Sequence, residues 1–461
     1  MRGAGRERAV IPKWNTLVFL TLVALLPLTT LLYGAVHPIS IALTYSVIGI
    51  AAIIAFGARL FGSDHSFAPD GMSISLLLVA VYCVIQVIPF GSVTVPEAGV
   101  SIGRTISVDV FWTSVSAVHF FLMGVFLILM SGLLPIGSRL KRFATFFVAV
   151  AIAYAFFAIL QFIISPGKIY GVYEVVGASP FGSFVNRHNF AAIMEMAIAL
   201  PLAFILSGTL ERDRRFLFMV ITGALGTALL MSGSRGGLVA LAAMIVLMLL
   251  LVQRGKTKSR RSLPRQLALV AVLVAGLIGG MIFIGGDNTL TRVADTASAG
   301  DFSTNRLAIW RVTADVIREH MPFGAGFGAF RTAYTPHDPT SGLQRVEQAH
   351  NDYLQVIADG GLPGVAIGVF FLVILTMTAR RALEVKDRML RTLALGISCG
   401  VFAILVHSLF DFVLHTTAVA LVFLSQLAML SVIARISSSE VSDIDESRST
   451  SVVADFTQRQ D

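Results

Sequence analysis

The sequence predicts an all-α polytopic membrane protein of about twelve spans, and three observations predict it. Of the 461 residues, 56% are hydrophobic and only 13% charged, with a mean hydropathy of +0.81, whereas soluble chains run near a quarter charged. The apolar residues fall in runs of about 20, the length that crosses a hydrocarbon layer as a helix. Between the runs, lysine and arginine concentrate in alternate loops, as in oriented helical membrane proteins.

Taken in order, the runs are 14–34, 38–58, 72–90, 111–134, 143–165, 188–208, 216–233, 236–253, 266–286, 352–378, 392–411 and 416–434. The first follows a basic N-terminus (Arg2, Arg6, Arg8, Lys13) but is too long for a signal peptide and lacks a small-x-small cleavage site, so it reads as a retained span. Residues 216–253 divide into two spans at Ser232-Gly233-Ser234-Arg235-Gly236-Gly237. Residues 1–436 therefore form one helical bundle, with 287–350 as a large outer loop and 437–461, rich in serine and acidic residues, as a disordered cytoplasmic tail. Within that loop Thr304 caps a helix running to His320, ended by Pro322 and the turn Gly324-Ala325-Gly326-Phe327-Gly328.

With both termini cytoplasmic, 25 of the 35 lysines and arginines lie inside. The net charge of +8 is thus a topology signal rather than a nucleic-acid stripe. Nine of the ten outer basic residues are arginine, whose planar fork suits phosphate oxygens. Cys83 and Cys399 sit in apolar runs and read as packing residues.

Four polar constellations interrupt the apolar pattern at the outer side. Phe184-Val185-Asn186-Arg187-His188-Asn189-Phe190 opens the sixth span, and Glu195, two turns deeper, is placed to pair with an arginine or histidine of a neighbouring helix. Ser232 to Gly237 forms a turn whose glycines free the backbone for a nest of N–H groups, beside Arg235 and a helix N-terminus. His350-Asn351-Asp352-Tyr353 enters the tenth span, and Asp359-Gly360-Gly361-Leu362-Pro363-Gly364 breaks it. His407, Asp411 and His415, four residues apart, share one face of the eleventh span; they could ligate zinc, although a polar network bracing the site fits them better. There is no Walker A loop, nucleophile elbow or HExxH, and the one Asp-x-Asp, Asp443-Ile444-Asp445, lies in the tail.

The segments Gly182 to Phe190, Ser234-Arg235-Gly236-Gly237, Asn305-Arg306 to Trp310-Arg311, Gly324-Ala325-Gly326 and His350-Asn351 resemble, in order and spacing, the O-antigen ligase and O-antigen polymerase superfamily. His350-Asn351, nine residues, then Gly361-x-x-Gly364 is similar to the family pattern His-(Asn/Ser/Gln)-x9-Gly-x-x-Gly. The resemblance covers about residues 180 to 420, and the first 170 match only as spans. It implies a GT-C-type glycosyltransferase of the bacterial inner membrane, facing the periplasm. The donor it implies is an undecaprenyl-pyrophosphate-linked oligosaccharide, with no metal or nucleotide cofactor and no nucleic-acid partner.

On this resemblance Arg235 holds the pyrophosphate together with Arg306, Arg311 or both, between which the sequence does not choose, and His350 acts at the acceptor hydroxyl. Arg187, His188, Asn189, Glu195, Asn351 and Tyr353 are the expected substrate-binding residues. Lipid A core as acceptor would make the protein a ligase of lipopolysaccharide, and a second lipid-linked glycan a polymerase. The alternative is a transporter or flippase of a lipid-linked saccharide, using the broken tenth span, Glu195 and the His407/Asp411/His415 face as an ion path.

Overall fold

A computed structural model describes residues 13–61, 67–95, 100–136, 138–175, 179–254, 304–340 and 346–458, with isolated positions 264, 268 and 271. Thirteen α-helices run through the described residues: α1 Lys13–Leu31, α2 Pro38–Leu60, α3 Gly71–Val87, α4 Val110–Leu133, α5 Arg139–Ile164, α6 Arg187–Ser207, α7 Arg212–Met231, α8 Arg235–Arg254, α9 Thr304–His320, α10 Phe330–Tyr334, α11 Asp352–Leu383, α12 Arg388–His407 and α13 Thr417–Gln458. Two antiparallel hairpins accompany them, β1 Ser92–Val95 with β2 Val100–Gly103 and β3 Lys168–Ile169 with β4 Tyr173–Glu174.

Ten of these helices are long and apolar enough to cross a membrane, and α3 is a shorter apolar helix of 17 residues. The chain is an all-α, multi-pass membrane protein. Eleven of the predicted runs are thus helices, while most of 266–286, and all of 287–303 and 341–345, lie outside the described residues. The last helix continues to Gln458, into the segment expected to be a disordered tail.

Helices α6 and α13 form the centre of the bundle, buried along nearly their whole spans, whereas α11 is mostly turned outward. A helix surrounded by helices is apolar on every face, so α6 carries almost no amphipathic signal. Small residues bring its neighbours close. A Cβ on Gly396 of α12 would lie 3.0 Å from the Ala199 carbonyl oxygen, and one on Gly400 3.2 Å from the Ala199 side chain. This approach lets the end of α12 meet the start of α6.

The predicted break is present: Gly361 takes φ 57°, ψ −150° inside α11, two residues before Pro363. The turn after α9 fills the gap. Leu362 donates its N–H to the Pro322 carbonyl at 2.8 Å, and the N–H groups of Ala325 and Gly326 donate to the carbonyls of Ala358 and Asp359 at 2.8 and 3.0 Å. From α3, the Tyr82 hydroxyl donates to the Phe323 carbonyl at 2.7 Å, and Gln86 Nε2 donates to the carbonyls of Phe323 and Asp359. Irregular backbone at membrane depth is tolerated where protein satisfies its polar groups in this way.

The sequence places His407, Asp411 and His415 on one helical face, and the structure corrects this. The helix α12 stops at His407, Asp411 follows in a turn, and His415 ends a short 3-10 segment, Val413–His415. Two carbonyls explain the stop. Ser408 accepts from the Asp352 N–H at 2.9 Å and Leu409 from Asn351 Nδ2 at 3.0 Å, so both serve the start of α11 instead of continuing α12.

Candidate functional site

Five chain segments meet at one end of the bundle: the start of α6, the α7–α8 turn, helix α9, the start of α11, and the α12–α13 connection. Asp411 is their meeting point. Its side chain is only 2% exposed, with His350 Nδ1 at 3.3 Å from Oδ1 and both His188 Nε2 and Arg306 Nη2 at 3.4 Å from Oδ2. The Phe412 N–H donates to Oδ1 as well, at 2.9 Å. Burial alone would raise the pKa of Asp411. The hydrogen bond from His350 and the charges of His188, His350 and Arg306 outweigh it and hold the carboxyl well below the usual carboxylate range.

An ionised carboxylate can only accept, so in its hydrogen bond with His350 the ring Nδ1–H is the donor, while His188 Nε2 faces the same charge from 3.4 Å. The other nitrogen of His188, Nδ1, lies 2.7 Å from the Ser234 hydroxyl, which itself accepts the Gly237 N–H at 3.1 Å, tying the ring to the start of α8. His350 is left with Nε2 as an acceptor.

The backbone at His350 is fixed from both sides. Trp310 Nε1 of α9 donates to the Ala349 carbonyl at 3.0 Å, and the Ala349 N–H donates to Gln355 Oε1 at 2.7 Å. His350 itself takes φ 49°, a left-handed conformation uncommon outside glycine, and its ring meets Phe412 edge-on with centroids 4.9 Å apart. Its side chain is 34% exposed, the most open of the groups around Asp411.

Among the other expected residues, Arg187 and Arg235 are the first residues of α6 and α8. Arg187 reaches the turn that leads into Arg235, since a Cβ on Gly233 would lie 3.4 Å from Arg187 Nη1. Both are partly buried, and their cationic forks sit where helix N-termini already favour anions. Arg306 reaches Asp411, whereas Arg311 is exposed on α9.

Several expected substrate-binding residues have structural partners in the fold. Asn351 caps α11, its Oδ1 accepting the N–H groups of Tyr353 and Leu354 at 2.9 and 3.0 Å. The Tyr353 hydroxyl donates to the Leu405 carbonyl at 2.7 Å, and Asn189 is buried. Glu195 has no exposed surface and pairs with His407 Nδ1 at 2.8 Å, likewise fully buried. The glycines expected to form an N–H nest explain the space for this pair. Gly236 and Gly237 lie within α8, and a Cβ on either would come to 3.0 Å from the His407 ring or 2.9 Å from Glu195 Oε1. In this turn only Gly233 takes a left-handed φ, 65°.

Beside the Asp411 cluster, His415 Nδ1 lies 2.8 Å from Asp352 Oδ1, and the Ser408 hydroxyl donates to Asp352 Oδ2 at 2.7 Å. Among the described residues no group of three or more histidines, cysteines and acids is arranged to hold a metal ion. Sequence reasoning placed Asp411 in a network bracing the site but not at its hub, and did not give Ser234 and Trp310 their supporting roles. The available signal was a carboxylate at the edge of an apolar run, which is by default a functional candidate.

Residues 216–369 match the family model described as O-antigen ligase, Wzy_C. No curated protein matches the chain. The matched segment carries Arg235, Arg306, His350 and the broken α11; His188 and Asp411 complete the cluster from outside it. Over that segment, about a third of the chain, the protein is similar to the O-antigen ligase family.

Proposed function

We propose that the protein transfers a glycan from an undecaprenyl-pyrophosphate carrier to a sugar hydroxyl at the periplasmic face of the bacterial inner membrane, with both termini cytoplasmic. The observation that carries this reading is the convergence of His350, His188 and Arg306 on Asp411 at the bundle end where α6 and α8 begin with Arg187 and Arg235. The chemistry follows from those groups. The acceptor oxygen bonds to the anomeric carbon as the bond from that carbon to the pyrophosphate breaks. The pyrophosphate leaves with the electron pair, and the acceptor proton passes to His350 Nε2.

A departing pyrophosphate needs positive charge aimed at it, which Arg235, Arg187 and Arg306 supply. A guanidinium has five donors in a fork, so Arg306 can hold Asp411 and a phosphate oxygen together. Losing one charge-assisted donor of this kind costs ~3 kcal/mol, roughly a hundredfold in rate. No metal or nucleotide enters this scheme.

The test is transfer by the purified, reconstituted protein, given carrier-linked oligosaccharide and either lipid A core or a second carrier-linked glycan, with His350→Ala as control. Product on the core makes it a ligase, and lengthened carrier-linked glycan makes it a polymerase. The break at Gly361 would equally suit a transporter of the lipid-linked saccharide. Movement of that lipid across the same vesicles, with no transfer to either acceptor, would replace the transferase reading.

A further inference from the structure

Four residues other than glycine hold a left-handed φ among the described residues: Tyr33 at 57°, Ala35 at 52°, Tyr170 at 56° and His350 at 49°. His350 belongs to the site. The other three meet in one place, where the α1–α2 turn faces the β3–β4 hairpin at the same end of the bundle. Side chains persist in that conformation only where their surroundings over-determine it, and such residues gather where chains bind or react.

There the Tyr33 ring is met by Tyr170, Tyr173 and His37 at centroid distances of 5.6, 5.5 and 5.4 Å, all edge to face. Tyr170 and Tyr173 are 39% and 42% exposed. The cluster is braced against the site. The Tyr170 hydroxyl donates to the Leu31 carbonyl and its N–H to Gln161 Oε1, while Gln161 Nε2 donates to the Gly182 carbonyl at 2.5 Å. A Cβ on Gly34 would lie 2.4 Å from the Phe184 ring and 3.1 Å from Thr416. Phe184 leads into Arg187 and His188, and Thr416 follows His415, so the cluster is fixed to two of the segments that build the site.

Tyrosines that only anchor a helix at a membrane surface keep their hydroxyls among the headgroups and need no unusual backbone. In this cluster the Tyr170 hydroxyl is tied to the main chain, and what the rings present is rigid apolar surface. Rigid tyrosines offer large, amphipathic contact area at low entropic cost, which suits the C–H faces and hydroxyl rims of pyranose rings. We propose that Tyr33, Tyr170 and Tyr173, edged by His37, form a saccharide-binding platform for the part of the glycan that extends beyond the reacting sugar. This rests on the glycan-transfer reading above.

The protein in nanodiscs is titrated with its own glycan, released from the carrier by mild acid as one-repeat and multi-repeat oligosaccharides, with binding followed by saturation-transfer NMR and transfer assayed in parallel. The multi-repeat glycan binds saturably. Tyr173→Ala weakens it about fivefold, the value of one aromatic contact, and Tyr173→Trp keeps it. Tyr173 is chosen because it is exposed on a two-residue strand, where alanine leaves the fold intact. His350→Ala abolishes transfer and keeps binding. A wild type that transfers glycan but does not bind it free, or variants that all bind alike, overturns the platform and leaves the transferase standing. Binding without any transfer supports the platform and overturns the transferase; absence of both overturns both.

Discussion

Asp411 faces His350 Nδ1 at 3.3 Å on one carboxylate oxygen while its other oxygen lies 3.4 Å from His188 Nε2. One buried charge thus faces a ring nitrogen of each histidine. In Asp411→Asn the shape is kept, but the amide can donate to Nδ1 and favour the tautomer that protonates Nε2. Transfer should fall by about a hundredfold or more in kcat, with donor KM changed less, as for a mis-set catalytic histidine. Steady-state kinetics of the reconstituted variant check this, and a kcat within threefold of wild type would remove Asp411 from the mechanism.

Arg306 and Arg311 lie on the same helix, yet only Arg306 reaches Asp411. Arg306→Ala should lower transfer at least tenfold, as expected for a charge-assisted donor, whereas Arg311→Ala should stay within about threefold. The reverse ranking would mean that phosphate is held on the other side of α9.

Glu195 and His407 are both fully buried, and the remaining Glu195 Oε2 and His407 Nε2 have no hydrogen-bond partner among the described residues. Removing one member leaves the other buried without its mate, at a cost of about 3 kcal/mol or more. Glu195→Ala should therefore unfold at clearly lower temperature in detergent than Glu195→Gln, which can still bond to the ring. Equal melting temperatures for the two would show that the pair is not a brace.

His415 carries a pH signature. Burial lowers its pKa, but the hydrogen bond and charge of Asp352, with Asp359 behind it, raise it above the ordinary histidine value. The stability from this pair is fully present below the unfolded value of about 6.5 and is lost as pH rises through the higher folded pKa. The His415 side chain is 36% exposed, so solvent screens the pair and the effect is modest. Between about pH 6 and about pH 9 the melting temperature of wild type should fall more steeply than that of Asp352→Asn. Parallel slopes would exclude the pair as the cause.

Gly324 has φ 77°, and a Cβ there would stand 2.4 Å from the Asp359 carbonyl oxygen of the broken helix. Gly324→Ala should destabilise the protein by about 2 kcal/mol or more and lower transfer, since the turn it distorts leads back to α9 and Arg306. Limited proteolysis and transfer assays check both effects. Wild-type behaviour would show that the turn can yield.

The sequence by itself determined the solvent. Runs of about 20 apolar residues can satisfy their backbone only as helices in lipid, so the spans, the break at Gly361-x-x-Gly364 and the outer helix ending at His320 were legible from period, length and glycine placement. The residue types of the site were legible too, because polar groups at a membrane edge are costly enough to stand out. Which of them meet was decided only by tertiary structure. Asp411 and His350 are 61 residues apart, and Glu195 and His407 are 212 apart; the second pair joins because Gly396 and Gly400 let α12 lie close on α6. Local pattern also put His407, Asp411 and His415 on one helix, which holds only while backbone carbonyls stay within it. At Ser408 and Leu409 they turn instead to the start of α11, a demand from another part of the chain that no local period contains.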